Sequence, residues 1–380
     1  MIELPGIAEV WAALPEARMV GGAVRDMLAG RVVADVDFAS PLTPQDVMAR
    51  ARRAGLKAVP TGLAHGTVTL VAQGRQFEVT TLRRDVQTDG RHAVVAFTDD
   101  WVLDASRRDF TINAMSAAQS GEVFDYFGGR EDLAAGRLRF VGVAAARIAE
   151  DYLRIFRFFR FFARYAKGAP DEAALAAIAA LKDGVARLSA ERVWREMKLI
   201  LLAEDPRAAL RLMAESGVLA LVLPEADLDG LDGLMRRGAP ADALLRLAAL
   251  SSADAAGYAA RWKLSGAECE ALSALRIPNA LLPGMDDAAL RRALAVEPAE
   301  ILIARTWLAQ DDGAGWDGLR ARLSAMEKPV FPLLGRDITK LGVPQGPAVG
   351  EILKNTEQWW RDGGCVADAA QCLVRVMAEL

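Results

Sequence analysis

Hydrophobic and polar positions follow two different rhythms along the chain. Up to about residue 130, short runs rich in β-branched residues alternate with stretches of helical period. ARMVGG, VDFAS, GTVTLVA and RQFEVTTL read as strands, AVRDMLAG and TPQDVMARARRAG as helices, and Gly74 between the last two strands predicts a hairpin. These predict a small α/β domain with a mixed sheet. After Gly136 the strand signals stop, and Ala/Leu/Arg-rich helical periods such as RIAEDYLRIFRFFRFFARYA, SAERVWREMKLILLA and DPRAALRLMAESGVLALVL run to the end. The fold class expected is α+β, with an all-α remainder and no repeat of fixed period.

Composition narrows the setting. At 380 residues, 52% hydrophobic and 25% charged, the chain is expected to be a soluble globular protein of more than one domain. No apolar run approaches the roughly 20 residues of a membrane span, and MIELPGIAEVWAALPEA lacks the basic start and cleavage site of a signal peptide. No membrane association and a cytoplasmic location are therefore expected. Cys269, Cys365 and Cys372 suggest neither a disulfide framework nor a zinc site, and two histidines, His65 and His92, offer no metal cluster or Ser–His triad. The net charge of −4 argues mildly against a nucleic-acid partner. It is unevenly spread: residues 1–200 carry 27 Lys and Arg against 25 Asp and Glu, residues 201–380 carry 19 against 25. Phosphate chemistry thus belongs in the first half.

The strongest local signal is GGAVRDMLAGRVVADVDFAS, residues 21–40. On a strand, Asp35 and Asp37 point to one face while Val36 and Phe38 point to the other. Paired carboxylates repel unless a cation lies between them, and hard oxygen ligands suit Mg²⁺ or Mn²⁺. The alternative is a strand end whose acids are merely solvated. Gly22 at a strand-to-helix turn, with Arg25 in the first helical turn, favours a phosphate close to the backbone N–H groups. Neither Rossmann nor Walker spacing is present.

The same residues resemble the signature of the class II tRNA nucleotidyltransferase and bacterial poly(A) polymerase family, within the polymerase-β-like superfamily. The likeness continues through FEVTTLRRD, TDGRHAVVAFT, DASRRDFTINAMS, FDYFGGREDLAAGRLRFVG, EDYLRIFRFFRFFAR and LSAERVWREMKLIL, and more loosely through LLGRDITKLGVPQGPAVGEIL. It implies a nucleotidyltransferase head over residues 1–137, a helical neck over 138–200 that recognises the base, a helical body over 201–270 and a tRNA-binding tail over 271–380. It also implies CMP and AMP transfer from CTP and ATP to the tRNA 3′ end by a two-metal mechanism, the ions on Asp35 and Asp37. Poly(A) addition is the alternative, and no protein partner is evident.

The resemblance assigns the remaining residues. Glu78 would add a third carboxylate, although a satisfied strand glutamate is an equal reading. Arg107 and Arg108 precede a predicted helix with Asp109 as its N-cap; the motif implies contacts to ribose and triphosphate, with Asp109 or Asn113 reading hydroxyls. Glu150, Arg154, Arg157, Arg160 and Arg164 fall within one half of a predicted helix, interrupted by Phe158 and Phe161, so these arginines should line a cleft. Asp151 and Arg154 complement the Watson–Crick edges of cytosine and adenine, which pair an amino donor with a ring-nitrogen acceptor, and oppose those of uracil and guanine. By resemblance, Arg157 and Arg160 fall on the triphosphate. The linker between FEVTT and RRDF, charged and containing Gly90, is of full length, which relatives adding only CC lack in part. Ser189 is a candidate N-cap of a helix bracing the cleft.

Overall fold

A computed structural model describes residues 3–88, 93–309, 313–378 and 380. Two compact units divide the chain, Met1–Pro224 and Glu225–Leu380.

The first unit opens with α1 (Ile7–Ala13), β1 (Arg18–Val20), α2 (Gly22–Leu28), β2 (Asp37–Ser40), α3 (Pro44–Arg53), β3 (Lys57–Gly62), β4 (Thr67–Ala72), β5 (Arg75–Thr81), β6 (Arg83–Thr88) and β7 (Ala93–Phe97). It continues through α4 (Trp101–Ser106), β8 (Ser116–Ala117), β9 (Val123–Phe124) and α5 (Gly129–Ala135). Seven strands form one sheet in the order β3-β4-β5-β2-β1-β8-β9, with β2 parallel to β5 and the other pairs antiparallel. The expected mixed sheet is thus present. β4 and β5 are joined through Gln73 (φ 47°) and Gly74 (φ 76°), the double positive φ of a two-residue hairpin turn. β3 escapes the sequence pattern because Pro60 interrupts it; at the sheet edge its missing N–H costs nothing. The linker is largely ordered: β6 and β7 pair antiparallel as a separate two-stranded sheet, from Arg83 opposite Phe97 to Thr88 opposite Ala93, and α4 follows. Gly90 and His92 lie outside the described residues.

Alternation assigns the two sheet faces. Met19, Phe38, Phe77 and Val79 are buried against α1 and α3, with Trp11 edge-on to Phe38 at a centroid distance of 5.3 Å. Each such side chain contributes about 1.5–3 kcal/mol of burial. The opposite face carries Val20 and Ala39, roofed by Trp101.

Helices α6 (Ala144–Glu150), α7 (Leu153–Tyr165), α8 (Glu172–Leu181), α9 (Ala190–Leu201), α10 (Arg207–Glu215) and α11 (Val218–Val222) complete this unit. The continuous helix expected through EDYLR is broken at Asp151, whose backbone is extended (φ −152°, ψ 108°). Its Oδ1 accepts from the Leu153 backbone N–H at 3.0 Å, so the carboxylate competes with helical continuation and starts α7 afresh. Glu150 and Asp151 therefore lie outside the helix that carries the arginines. Tyr152 fills a socket at Gly184, where a Cβ would stand 1.9 Å from the ring.

The second unit, by itself, is helical, with ten helices among its described residues from Leu228–Arg236 to Ala369–Met377. Asp227, Asp242, Asp254, Ser265, Asp286 and Asp368 each cap a helix through a side-chain oxygen. One cluster gathers Leu290, Leu302 and Trp316, another Ile338, Trp360 and Cys372. The three cysteines are free, and among the described residues no helix is long and apolar enough to cross a membrane.

Candidate active site

β1 ends in the Gly21–Gly22 turn, which starts α2. The conformational demand falls on Gly21: its φ is 65°, and a Cβ there would approach Arg108 Nη1 to 3.0 Å. Gly22, the residue expected from sequence, is the first residue of α2 and has ordinary room for a side chain, although it too lines the cavity.

Asp37 opens β2, directly opposite Val20 on β1 and beside Glu78 on the parallel neighbour β5. Asp35 precedes the strand instead of lying on it, because strand pairing begins only at Asp37. Val36 and Phe38 are buried and Asp35, Asp37 and Glu78 exposed, so the expected alternation of faces holds. Desolvation, reinforced by Glu78 and Asp35 and opposed by Arg108, raises the Asp37 carboxyl above its ordinary value. Three mutually repelling carboxylates suit a hard cation. Among the described residues no cluster of three or more such groups is closed enough to hold a metal alone.

Beside this row lies a cavity of about 650 Å³. It is lined by Gly22, Arg25, Asp37, Arg107, Arg108, Asp109, Asn113, Asp151, Arg154 and Arg157 of the expected residues, and by Val20, Gly21, Arg83, Leu153, Phe161 and Arg192 besides. Seven guanidiniums thus face three carboxylates, and with Asp26, Asp104 and Glu150, which pair with four of them, counted the cations still lead by one. A polyanion is the matching occupant.

The cavity wall is internally paired. Arg107 and Arg108 are held by the buried Asp104 at 2.8 and 3.2 Å, and their charges outweigh its burial to keep that carboxyl below its ordinary value. Instead of preceding a helix they follow α4, and Asp109 caps none: only a single 3-10 turn, Thr111–Asn113, comes after it. Asp109 Oδ2 accepts from Arg157 Nε at 2.7 Å, while Oδ1 accepts from Asn113 Nδ2 and the Phe110 N–H at 3.1 and 3.0 Å. Burial opposes the charge, but Arg157 and these donors hold Asp109 low. Arg25 is buried and gives one bond from each nitrogen, to Asn113 (2.6 Å) and Asp26 (3.1 and 2.9 Å), with Tyr165 stacked at 4.3 Å. It braces the turn as well as lining the cavity.

α7 is positioned by aromatic packing: Phe110 meets Phe140 at 4.9 Å and Phe161 at 5.3 Å. Arg154 Nη1 donates to Glu150 Oε2 and the Arg147 carbonyl, both at 2.5 Å. Asp151 Oδ2 accepts from Arg192 Nη2 at 2.8 Å. The two expected residues thus take different partners, Asp151 with Arg192 and Arg154 with Glu150, although all but Glu150 line the same cavity. Arg160, expected on the triphosphate, is not among the lining residues; Glu196 draws it away at 3.2 Å, and Phe161 lies under it at 4.6 Å. Asp35 and Glu78 are likewise outside the lining. Gly21 is readable beside Gly22 in the same motif. Arg83 and Arg192 carry no local signal; Arg192 follows Ser189, which occupies the N-cap position of α9 with no side-chain cap hydrogen bond.

Residues 17–139 match the family described as the poly A polymerase head domain, and residues 169–229 that described as a probable RNA and SrmB binding site of polymerase A. A mitochondrial CCA tRNA nucleotidyltransferase 1 of Danio rerio is 37% identical over 94% of this chain and 86% of its own. A CCA-adding enzyme of Streptococcus sanguinis is 33% identical over 99% and 96%. Among solved structures, the Bacillus stearothermophilus CCA-adding enzyme in complex with CTP superposes with a TM-score of 0.78 at 28% identity, covering 99% of this chain and 98% of that one.

Proposed function

Since the chain belongs to the class II CCA-adding tRNA nucleotidyltransferase family, we propose that it extends tRNA 3′ ends with CMP and AMP from CTP and ATP without a nucleic-acid template. The observation that carries this reading is the cavity itself, whose lining brings an excess of guanidiniums together with Asp37 and with Asp151, Arg154 and Arg192. Arg107, Arg108 and Arg157 face the triphosphate, and Asp109 and Asn113 the ribose. Asp151, with Arg154 and Arg192, reads the base edge. Arg160 and Arg25 hold this wall in place.

Asp35 and Asp37, with Glu78 alongside, would hold divalent ions, Mg²⁺ or Mn²⁺, which when bound neutralise triphosphate charge and activate an RNA 3′-hydroxyl. The chain's own contribution is orientation: the Gly21–Gly22 turn, whose Gly21 N–H is already given to the Met115 carbonyl, lets phosphate oxygens approach the backbone closely, and Phe161 lines the cavity. No covalent intermediate with the protein is required. Head, neck, body and tail over residues 1–137, 138–200, 201–270 and 271–380 are the functional division that accompanies this reading, with tRNA along the helical part, and a cytoplasmic address belongs to the same proposal.

Incubation with tRNA lacking CCA, CTP, ATP and Mg²⁺ tests it. Extension by three nucleotides ending in A is expected. Failure to extend, or long A tracts made from ATP alone, would overturn it, the latter in favour of poly(A) addition.

A further inference from the structure

Arg18 stands apart from the paired arginines of the cavity. Its guanidinium carbon lies 3.5 Å from the ring centroid of Phe124 and 4.1 Å from that of Trp101, and Nη1 donates to the Tyr126 hydroxyl at 3.1 Å. Among the described residues no carboxylate pairs with it. Two aromatic rings and a phenol thus fix the plane of a cation that has no counter-ion among the described residues, so the ordering cost of binding an anion is largely met in advance.

The sheet register places this cation relative to the chemistry. Arg18 pairs with Ala39, and Val20 with Asp37, so all four point to one face. Along β1 the order is Arg18, Val20, then the Gly21–Gly22 turn that borders the arginine-lined cavity. Arg18 therefore lies one residue pair, roughly 7 Å, beyond the Asp37 row on the side away from that turn. An in-line displacement sets the attacking hydroxyl and the leaving pyrophosphate on opposite sides of the reacting phosphorus. With the triphosphate in the cavity, the strand being extended approaches from the Arg18 side.

We propose that Arg18, clamped by Trp101 and Phe124, binds a backbone phosphate of the RNA strand next to its reacting 3′ end. It positions primer and leaves nucleotide choice alone. This rests on the nucleotidyl-transfer reading above, and CCA addition by the unaltered protein, measured in the same series, separates failure of one from failure of the other.

Arg18→Met keeps an apolar stem between the rings and removes the charge. The expected result is a KM for tRNA raised on the order of tenfold, KM for CTP unchanged, and a salt slope of tRNA binding shallower by about 0.7. Arg18→Lys should restore the slope while recovering KM only in part. An unchanged KM for tRNA with the original slope overturns the proposal, whether or not the melting temperature falls. Should Arg18→Met fail to fold, phenylglyoxal modification of the unaltered protein, read by mass spectrometry, decides: protection of Arg18 by tRNA lacking CCA supports it, and equal modification with and without tRNA overturns it.

Discussion

Replacing Asp109 by Asn tests the organisation of the cavity wall. The residue is 8% exposed, and its two oxygens bind Arg157, Asn113 and the Phe110 N–H. Asn retains an oxygen for the last two but turns an amide N–H₂ toward the guanidinium, donor against donor. Breaking a buried ion pair costs about 3–5 kcal/mol; with the Arg157 side chain 33% exposed and partly screened, roughly 2–3 kcal/mol is expected at neutral pH. For a unit of this size that is a fall in melting temperature of roughly 5–10 °C. The pH dependence gives a second reading. The folded-state Asp109 carboxyl lies below the ordinary 3.8, so its stabilisation is complete above that value and is lost as pH falls through the lower, folded one. The gap between the two proteins in urea unfolding should narrow across that acid range. A neutral-pH stability equal to that of the unaltered protein, or a gap indifferent to acid, would refute the reasoning.

Other outcomes follow from the same geometry. Asp37→Ala should abolish addition of both C and A and leave tRNA binding, measured by filter retention, intact; loss of binding would instead make Asp37 structural. Arg154→Ala and Arg192→Met should each erode the preference for CTP and ATP over UTP and GTP in single-nucleotide incorporation, with the requirement for divalent metal retained. Gly184→Ala should destabilise the first unit by about 1–3 kcal/mol, because the new methyl collides with Tyr152; thermal unfolding measures it.

Candidate site residues are legible from sequence where they sit within one short stretch. Gly22, Arg25, Asp35 and Asp37 fall in one motif, and the period-two alternation around Val36 and Phe38 foretells which face the carboxylates take. Periodicity also separates the sheet-bearing part from the helical remainder. It fails where a side chain overrides the backbone preference. Asp151 accepts from the Leu153 N–H and breaks a helix that the surrounding periodicity favours, and Pro60 hides an edge strand. It fails again where partners are distant. Nothing near Arg160 announces that Glu196, 36 positions on, will claim it, nor that Arg192 will reach Asp151 across 41. Two-residue strands such as β8 and β9 are too short to carry a period at all.

The break at Asp151, with Tyr152 locked into Gly184, has a bearing on redesign. A letter-reading group on a continuous helix could be altered only by disturbing the whole rod, including the arginines below it. Asp151 alone stands at the plugged joint, off the rod, while Arg154 shares α7 with Arg157 and Arg160. On the proposed reading of the base edge, substitution at Asp151 offers a route to enzymes that write other terminal letters on RNA while leaving the rod and its arginines in place.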